Sequence, residues 1–387
     1  MAHLLLVAPI PTHPSTVGNR ARLLALYDAL LEAGHDFVYA HIERETGDRE
    51  AMRAHWGNRY VPIAYTAPPN RWRRARRLLR RLGMESGYHY GLDEWYDDAS
   101  DAPLCDLLEN HAFDAMMVEY VFFSRALKLA PPGMLKLLGT HDAFANRHRR
   151  YLSAGMEPRW FSCTPAAETR GFARADRIVA IQETEEATFR AMTDREVLTI
   201  GHPVEVADTE TPYPAEHAIL AVGSNNDINR DSVRWFMDEV LPAVRADVPD
   251  ATLRVAGSVC ADLPNRENVE LLGRVDDLAT AYATARVVIN PMQTGTGLKI
   301  KTMEAMAHGR ALVTSPAGAA GLERAAGAFE IAPDAQRFAQ ATARLLQEPA
   351  AAETLAKAGR AFVDDYNAAC QHAIEVALRP WDSSPSA

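Results

Sequence analysis

The stretch Asn290-Pro-Met-Gln-Thr-Gly-Thr-Gly-Leu-Lys-Ile-Lys-Thr-Met-Glu-Ala-Met-Ala-His-Gly309 predicts a strand end, a glycine loop and a helix. Pro291 ends a β-branched strand over residues 287–289, and Gly295 and Gly297 allow a tight turn that brings backbone close to a ligand. Good helix formers follow from Leu298 to His308. A helix that begins just past the carboxyl end of a strand directs unpaired N–H groups toward a crevice, where they suit a phosphate.

Three charged side chains lie on this predicted helix. Lys299 and Lys301 add positive charge at its start, and Glu304 is its only carboxylate, among apolar neighbours that predict burial. The functional interpretation is a phosphate site with a carboxylate one turn along the helix. The alternative is an ordinary βα unit with a solvated Glu304, because Gly-Thr-Gly alone occurs in many α/β loops.

The whole string resembles the nucleotide-sugar glycosyltransferases of the GT-B fold, specifically the retaining group 1 enzymes of family 4. Their hallmark is a Glu-x7-Glu segment that runs into a Glu-Ala-Met-Ala-x-Gly helix. Glu304 matches the second glutamate, which in the family holds the ribose hydroxyls of the donor. The position of the first glutamate, which reads the transferred sugar, is occupied by Thr296. This departure puts the identity of the donor sugar in doubt.

The resemblance implies an α/β protein of two Rossmann-like domains that face each other across a cleft. The implied boundaries are an acceptor-side domain over 1–203, a linker over 204–216 and a donor-binding domain over 217–363. A C-terminal helix within 364–387 is expected to pack back on the first domain. The implied activity is transfer of a sugar from a nucleotide-diphosphate sugar to an acceptor hydroxyl with retention, with no cofactor and no essential metal.

Composition agrees with an ordinary globular enzyme and excludes several other classes. The 387 residues suffice for two domains, and 48% are hydrophobic and 24% charged. A net charge of −10 argues against general nucleic-acid binding. The four cysteines have no metal-ligand or disulfide-like spacing, and no run of 18 apolar residues exists, so we expect a cytoplasmic protein without a membrane span. The abundance of arginine and alanine suggests a GC-rich bacterial genome.

The N-terminal half begins with a βαβ unit whose first loop is a candidate ligand site, because ligands lie at the carboxyl ends of such strands. By resemblance, Gly18 is the glycine that lies under the donor diphosphate and the acceptor. His13, Asn19 and Arg20 are nearby polar candidates. That His13 and Asn19 only order the loop is equally open.

Two further strands end in polar residues, the first at Glu119-Tyr120 and the second at His141-Asp142. Family members have a His-Asp pair at the second place, and their histidine contacts the donor sugar or diphosphate. We expect His141 to do so here, with Asp142 fixing the imidazole tautomer. A structural histidine is the alternative.

Residues 67–83 hold seven arginines, and within 71–82 they share a helical stretch with an apolar stripe of Trp72, Ala75, Leu78, Leu79 and Leu82. A basic amphipathic helix in an acidic protein can dock peripherally on anionic lipid, such as the inner face of a membrane. It could equally hold a phosphorylated or lipid-linked acceptor, or be a solvated charged face.

The C-terminal half supplies the remaining donor-site candidates. Many family members clamp the diphosphate with an arginine and a lysine after the first strand of this domain, where this chain has Ser224 and Arg230. An arginine fork suits phosphate, and Lys299 or Lys301 could replace the charge that Ser224 lacks. The Gly-x-Val segment that brackets the base matches Gly273-Arg274-Val275.

The predicted site therefore has three catalytic residues, which are His141, Arg230 and Glu304. The predicted donor-binding residues are Gly18, Asn19, Gly223, Ser224, Arg274, Val275, Gly295, Thr296, Gly297, Leu298, Lys299 and Lys301. No Asp-x-Asp pair follows a strand, so the helix start and the cations would stabilise the leaving diphosphate.

Three alternatives remain at this point. A GT-B sugar-nucleotide 2-epimerase would need carboxylates aimed at the sugar, and a Rossmann dehydrogenase would need Gly-x-Gly-x-x-Gly after the first strand. A catalytically silent scaffold or partner subunit would be consistent with Thr296 and Ser224. The base, the sugar and the acceptor are not identified, so extracellular polysaccharide, lipid-linked oligosaccharide and secondary-metabolite glycosylation stay open.

Overall fold

The computed structural model describes residues 1–15, 17–153, 155, 157–158, 160–207, 213–275, 277–294 and 299–380, with the side chain of residue 323 left out. These residues fold as two compact units. The first unit holds Met1–His202 together with residues 370–380, and the second holds Pro203–Ala369. Among the described residues, no helix is both long enough and apolar enough to cross a membrane.

The first unit is built on a seven-stranded parallel sheet in the order β3-β2-β1-β4-β5-β6-β7. Its strands are β1 His3–Ala8, β2 Asp36–Ile42, β3 Tyr60–Ile63, β4 Ala115–Glu119, β5 Leu135–Gly139, β6 Arg177–Ala180 and β7 Glu196–Thr199. Leu4 to Ala8 are fully buried. A strand covered by helices on both faces of a parallel sheet requires such a continuous apolar run.

Seven α-helices accompany this sheet. They are α1 Gly18–Glu32, α2 Arg49–Trp56, α3 Arg73–Arg81, α4 Asp101–Asn110, α5 His148–Ser153, α6 Pro165–Phe172 and α7 Glu183–Arg190. The segment Val121–Leu129, which follows Tyr120, is a 3-10 helix.

The second unit has a six-stranded parallel sheet in the order β10-β9-β8-β11-β12-β13. Its strands are β8 Ala218–Val222, β9 Thr252–Ala256, β10 Val269–Gly273, β11 Val287–Asn290, β12 Ala311–Thr314 and β13 Glu330–Ile331. Its helices are α8 Asp227–Trp235, α9 Leu241–Asp247, α10 Leu278–Ala283, α11 Ile300–Ala307, α12 Pro316–Ala319, α13 Ala335–Gln347 and α14 Pro349–Ala377.

A π-helical turn at Phe236–Val240 separates α8 from α9. The helix expected within 364–387 begins earlier, at Pro349, because α14 is one continuous helix of 29 residues. No proline or glycine lies at the expected break between residues 363 and 364, so nothing in the backbone ends the helix there.

In each sheet the strand order reverses at one place, between β1 and β4 in the first unit and between β8 and β11 in the second. Loops at the carboxyl ends of the two strands separate at such a point and leave a crevice, where ligands of open α/β sheets bind. The predicted site residues follow the carboxyl ends of β1, β4, β5, β8, β10 and β11.

Candidate functional site

The start of α11 is held against the end of β11 by buried hydrogen bonds. The amide of Asn290, the last residue of β11, donates to the hydroxyl of Thr302 at 3.0 Å, and that hydroxyl donates to the carbonyl oxygen of Gly318 at 2.8 Å. Thr302 is completely buried. These bonds fix where the first turn of α11 points, so the ligand-binding end of this helix is preorganised.

The N-terminus of α11 carries two ammonium groups. Lys299 occupies the cap position and makes no side-chain capping bond, and no acidic residue lies in the first turn. Burial lowers the pKa of Lys299 below that of a free lysine. Cations at the positive end of a helix dipole are unfavourable unless an anion is present. The arrangement therefore fits an anionic ligand.

Lys301 is connected to the end of β8 through Asn229 of α8. Its Nζ donates to Oδ1 of Asn229, whose Nδ2 donates to the carbonyl oxygen and hydroxyl of Ser224 at 2.8 and 3.1 Å. Desolvation lowers the pKa of Lys301 to about 8, an effect that Glu304 opposes and Lys299 strengthens. The network joins the predicted residues Ser224 and Lys301 at the place between β8 and β11 where the strand order reverses.

Arg230 lies outside this network. Its guanidinium pairs with Asp227 at 2.5 Å and lies 3.6 Å from Asp262 and 3.9 Å from Asp231. Three carboxylates already offset this cation, so its reach toward a phosphate depends on breaking an ion pair. The neighbouring Asn229, which sequence reasoning missed, is the residue of α8 that contacts the lysine.

Glu304 lies one turn along α11 and is partly exposed. Desolvation raises its pKa to about 7, and the charge of Lys301 opposes this rise. The ring of Tyr282 stacks on that of His308 at 4.2 Å, and burial, together with the charge of Glu304, raises the pKa of Tyr282. A carboxylate with a near-neutral pKa beside this aromatic pair can accept hydrogen bonds from ligand hydroxyls.

The glycine after β8 lets two loops approach closely. Gly223 accepts a hydrogen bond from Val259 N–H, and Gly257, with φ of 105°, lies so near that a Cβ on it would be 2.2 Å from the carbonyl oxygen of Gly223. Arg274, at the end of β10, is exposed and Val275 is half-buried. The predicted loop residues Gly295, Thr296, Gly297 and Leu298 lie outside the described residues.

In the first unit, His141 follows β5 and pairs with Glu119, the last residue of β4. Nε2 of His141 lies 2.7 Å from Oε2 of the buried Glu119. The His141 ring stacks on Tyr120 with centroids 4.2 Å apart, and Asn19 donates to the Tyr120 hydroxyl at 3.2 Å. The predicted residues His141 and Asn19 are therefore joined through Tyr120.

Backbone geometry at this pair departs from the ordinary. Tyr120 and His141 have positive φ values of 71° and 61°, which few non-glycine residues adopt outside functional sites. Gly139 is required beside them, because a Cβ there would lie 2.0 Å from Oε2 of Glu119. The strand ends are thus shaped around the Glu119–His141 pair.

The expectation that Asp142 fixes the His141 tautomer is wrong. Asp142 instead pairs with Arg147 at 2.6 Å and Arg150 at 3.1 Å. Successive residues after a strand diverge, so the carboxylate adjacent in sequence points away from the ring. Glu119, which is on the neighbouring parallel strand, reaches it.

The first loop of this unit ends at the start of α1. Gly18 is the first residue of that helix, whose cap position, Val17, makes no side-chain capping bond. His13 contacts Thr12 and packs its ring 5.0 Å from that of His55, while Arg20 donates to the carbonyl oxygen of Thr46.

The second unit carries a family signature. Residues 216–348 match the model of the family described as glycosyl transferases group 1. This segment of the second unit belongs to that family. No curated protein sequence matches the chain.

Solved structures agree with this glycosyltransferase fold along almost the whole chain. The structure of TarM covers 98% of this chain and 99% of its own at 9% identity, with a TM-score of 0.67. Sucrose-phosphate synthase from Thermosynechococcus elongatus covers 97% and 98% at 16% identity, with a TM-score of 0.61. Anabaena HepE in complex with UDP and glucose covers 97% and 99% at 11% identity, with a TM-score of 0.61. At these identities the structures show the fold alone.

The first unit also has an aromatic surface beside the Glu119–His141 pair. The Trp160 ring lies 5.9 Å from both Tyr120 and Trp95, and the guanidinium of Arg44 lies 4.1 Å from the Trp95 centroid. Both tryptophans are only half-buried. Sequence reasoning did not find this surface, because its members come from three distant segments. Half-buried aromatic rings are suited to the faces of sugar rings or apolar groups.

No described part of the chain brings three or more His, Cys, Asp or Glu side chains together in a way that could hold a metal ion. Lys299 and Lys301 are the cationic residues at the start of α11. Asn229 and Glu119, the two polar residues that orient Lys301 and His141, had one sequence signal each. Asn229 adjoins Arg230, a predicted site residue, and Glu119 had been named with Tyr120 as the polar end of a predicted strand.

Proposed function

We propose that this glycosyltransferase moves a sugar from a nucleotide-diphosphate sugar to an acceptor hydroxyl, with retention and without an essential metal. The observation that carries the proposal is the start of α11. Lys299 at the cap position and Lys301 in the first turn both have a lowered pKa, and no acidic residue lies in that turn. Such a site requires a compact, multiply charged anion, and a diphosphate is one.

The proposed roles of the residues in the second unit combine the family resemblance with the contacts described above. Lys301, oriented by Asn229, and Lys299 stabilise the diphosphate and the charge that it gains on leaving. Glu304 accepts hydrogen bonds from the ribose hydroxyls. Gly223 and the segment at Arg274 and Val275 provide backbone near the nucleotide.

The transfer step balances without a metal or a covalent enzyme intermediate. The bond between the anomeric carbon and the diphosphate oxygen breaks, and the acceptor oxygen forms a bond to the same face of that carbon. The leaving diphosphate takes the proton of the acceptor hydroxyl. His141, held by Glu119, contacts the donor sugar or diphosphate, and Arg230 remains a proposed phosphate contact that would have to release Asp227.

The first test is calorimetric titration with UDP, GDP, ADP and CMP. UDP is the first candidate, because the Anabaena HepE structure of the same fold contains UDP and glucose. We expect one diphosphate to bind, and Glu304→Ala to weaken it by at least about tenfold through loss of charge-assisted hydrogen bonds. Glu267→Ala removes an exposed carboxylate of the same unit and serves as the matched control. If no nucleotide binds, the transferase proposal fails and a catalytically silent scaffold replaces it.

The second test separates transfer from epimerisation. The donors are sugars linked to the nucleotide that binds in the first test. A transferase releases the nucleoside diphosphate only when an acceptor or water accepts the sugar. A sugar-nucleotide 2-epimerase would instead convert one donor to its 2-epimer. Proton NMR of the anomeric region distinguishes these products and also shows whether the configuration is retained.

We further propose that the enzyme works in a reducing cytoplasm. Cys105, Cys163 and Cys260 are free thiols, which supports that placement. The acceptor is a glycan, a lipid-linked sugar or a small molecule. A lipid-linked acceptor would require contact with a membrane surface, and 71–82 is the segment whose composition offers one.

A further inference from the structure

Helix α3 is fastened to the first unit by arginines. Arg76 is buried, forms an ion pair with Glu94 and donates to Asn70, and its guanidinium lies 4.3 Å from the ring centroid of Tyr90. Arg80 donates to the carbonyl oxygen of Gly87 at 2.8 Å. The face of α3 that contacts the protein is therefore its cationic face.

The apolar face of α3 points away from the protein. Trp72, Leu78, Leu82 and Met84 are 64%, 58%, 65% and 48% exposed. Leu78 and Leu82 are one helical turn apart and so lie side by side. An amphipathic helix of a globular protein normally buries its apolar stripe and exposes its charges. In α3, by contrast, most of the apolar stripe is exposed.

Exposed positive charges surround this apolar face. Arg71, Arg73, Arg74, Arg77 and Arg81 are all exposed. Within the described part of the chain, none of them forms an ion pair with a carboxylate. The whole protein has a net charge of −10, so this cluster is a local exception. The surface combines aromatic and aliphatic groups with a ring of guanidinium groups.

The combination of apolar and cationic groups limits which partners could bind this surface. A second copy of the same helix would bring two arginine clusters together, and like charges repel. A nucleic acid would satisfy the guanidinium groups but would leave the leucines in water. An anionic bilayer satisfies both, because its headgroups attract arginines while its acyl boundary accepts Trp and Leu side chains.

We propose that the exposed face of α3, with Met84 beyond its end, docks on an anionic lipid bilayer. The fastening by Arg76 keeps the apolar side chains exposed in the unbound protein, so docking needs no rearrangement of the helix. The inference goes beyond the proposed transferase activity and does not depend on which sugar is transferred.

The same fastening links the docking face to the aromatic surface of the first unit. Tyr90, which lies under the Arg76 guanidinium, packs its ring 5.3 Å from that of Trp95. A bilayer held at α3 would therefore be joined through two residues to the surface next to His141. A lipid-linked acceptor is the substrate class that such a connection would serve.

The test is co-sedimentation of the full chain with vesicles. Vesicles of phosphatidylglycerol and phosphatidylcholine in equal parts are compared with vesicles of phosphatidylcholine alone. We expect binding to the anionic vesicles only, and we expect it to weaken as salt is added. Brominated lipids should quench the fluorescence of the wild type more than that of Trp72→Phe.

Two sets of variants separate the apolar and the cationic contributions. The apolar variant is Trp72→Ser with Leu78→Ser and Leu82→Ser, and its control is Leu272→Ser with Ile331→Ser, two exposed apolar residues elsewhere. The cationic variant is Arg74→Gln with Arg77→Gln and Arg81→Gln, and its control is Arg53→Gln with Arg170→Gln and Arg195→Gln, three exposed arginines of the same unit. All replacements are at exposed positions, so folding should be preserved.

We expect the cationic variant to lower the partition coefficient by about a hundredfold and the apolar variant by about tenfold, with both controls unchanged. An equal loss of vesicle binding in a variant and its control would mean that the effect is not specific to α3 and would overturn the proposal. Absence of vesicle binding by a wild type that still binds its nucleotide would also overturn it. If sedimentation velocity instead shows an oligomer that the apolar variant dissolves, the face is an interface between copies.

Discussion

The side chains of Lys301 and Glu304 make the proposed donor site sensitive to pH near neutrality. Lys301 binds a phosphate in its protonated form, so binding is lost as the pH rises through its pKa of about 8. Glu304 accepts hydroxyl hydrogens in its ionised form, so binding is lost as the pH falls through its pKa of about 7. We expect nucleotide affinity to be greatest between these two values.

Calorimetry across this range checks the prediction. Lys301→Arg should remove the alkaline decline, because an arginine stays protonated. Glu304→Gln should remove the acidic decline that exceeds the nucleotide's own ionisation. Binding at pH 8 should take up protons from the buffer in the wild type and not in Lys301→Arg. A flat profile in the wild type would contradict the assignment of both residues.

The proposed role of Glu119 in the transfer reaction is to position His141. Its carboxylate holds Nε2 of the imidazole, which fixes both the tautomer and the orientation of the ring. We expect Glu119→Gln to lower kcat by about one to two orders of magnitude, the range typical for loss of a residue that orients a functional histidine, with little change in nucleotide affinity.

Asp142→Asn provides the comparison, because Asp142 pairs with Arg147 and Arg150 and makes no bond to the ring in the structure. Steady-state kinetics should show a smaller loss of kcat in Asp142→Asn than in Glu119→Gln. The reverse order would restore the interpretation that sequence adjacency favoured.

Among the elements of the second unit, the loops after β8 and β9 depend on two glycines that touch. Gly257→Ala combines a positive φ with a Cβ 2.2 Å from the Gly223 carbonyl oxygen, and we expect it to cost about 2–4 kcal/mol of stability. Gly273→Ala has a φ of 69° but no atom within 4 Å of the new Cβ, so strain alone should cost it about 1 kcal/mol.

Urea denaturation compares the two variants. Because Gly223 follows β8 at the proposed nucleotide site, Gly257→Ala should also weaken nucleotide binding, whereas Gly273→Ala tests whether the neighbouring Arg274 segment tolerates the same backbone strain. Equal destabilisation in both would mean that the close contact with Gly223 relaxes freely.

At the scale of the whole molecule, the C-terminal segment completes the core of the first unit. Ile374 and Ala377 are buried in the core of that unit, and Arg177 donates to the carbonyl oxygens of Ala377 and Arg379 at 2.9 and 2.8 Å. A chain that ends after Ala369 should lose at least about 3 kcal/mol of stability in the first unit, because it loses the buried isoleucine and two of the hydrogen bonds of Arg177.

Thermal denaturation of the full and shortened chains checks this. The unfolding temperature of the first unit should fall, while nucleotide binding by the second unit should persist. A chain that ends after Pro380 keeps both hydrogen bonds and is the control. Loss of nucleotide binding in the shortened chain would show that the second unit also depends on the segment.

The sequence by itself determined the class of fold, the order of strands and helices, and the chemistry of the α11 start. Apolar runs, glycines and helix formers act over short distances, so their spacing along the chain already specifies local structure. The GT-B resemblance and the glycosyltransferase class also followed from contiguous motifs around Glu304. The family model and the solved structures confirm the fold and the glycosyltransferase class, whereas the proposed chemistry at the start of α11 stays a prediction.

Only the tertiary structure decided which side chains meet. Glu119 rather than Asp142 reaches His141, because parallel strands β4 and β5 lie side by side in a register that brings residue 119 next to 139. Asn229 rather than Arg230 contacts Lys301, and α3 exposes its leucines because Arg76 finds Glu94, 18 residues away. Such partners depend on strand order, register and the direction of each side chain, which no local pattern records.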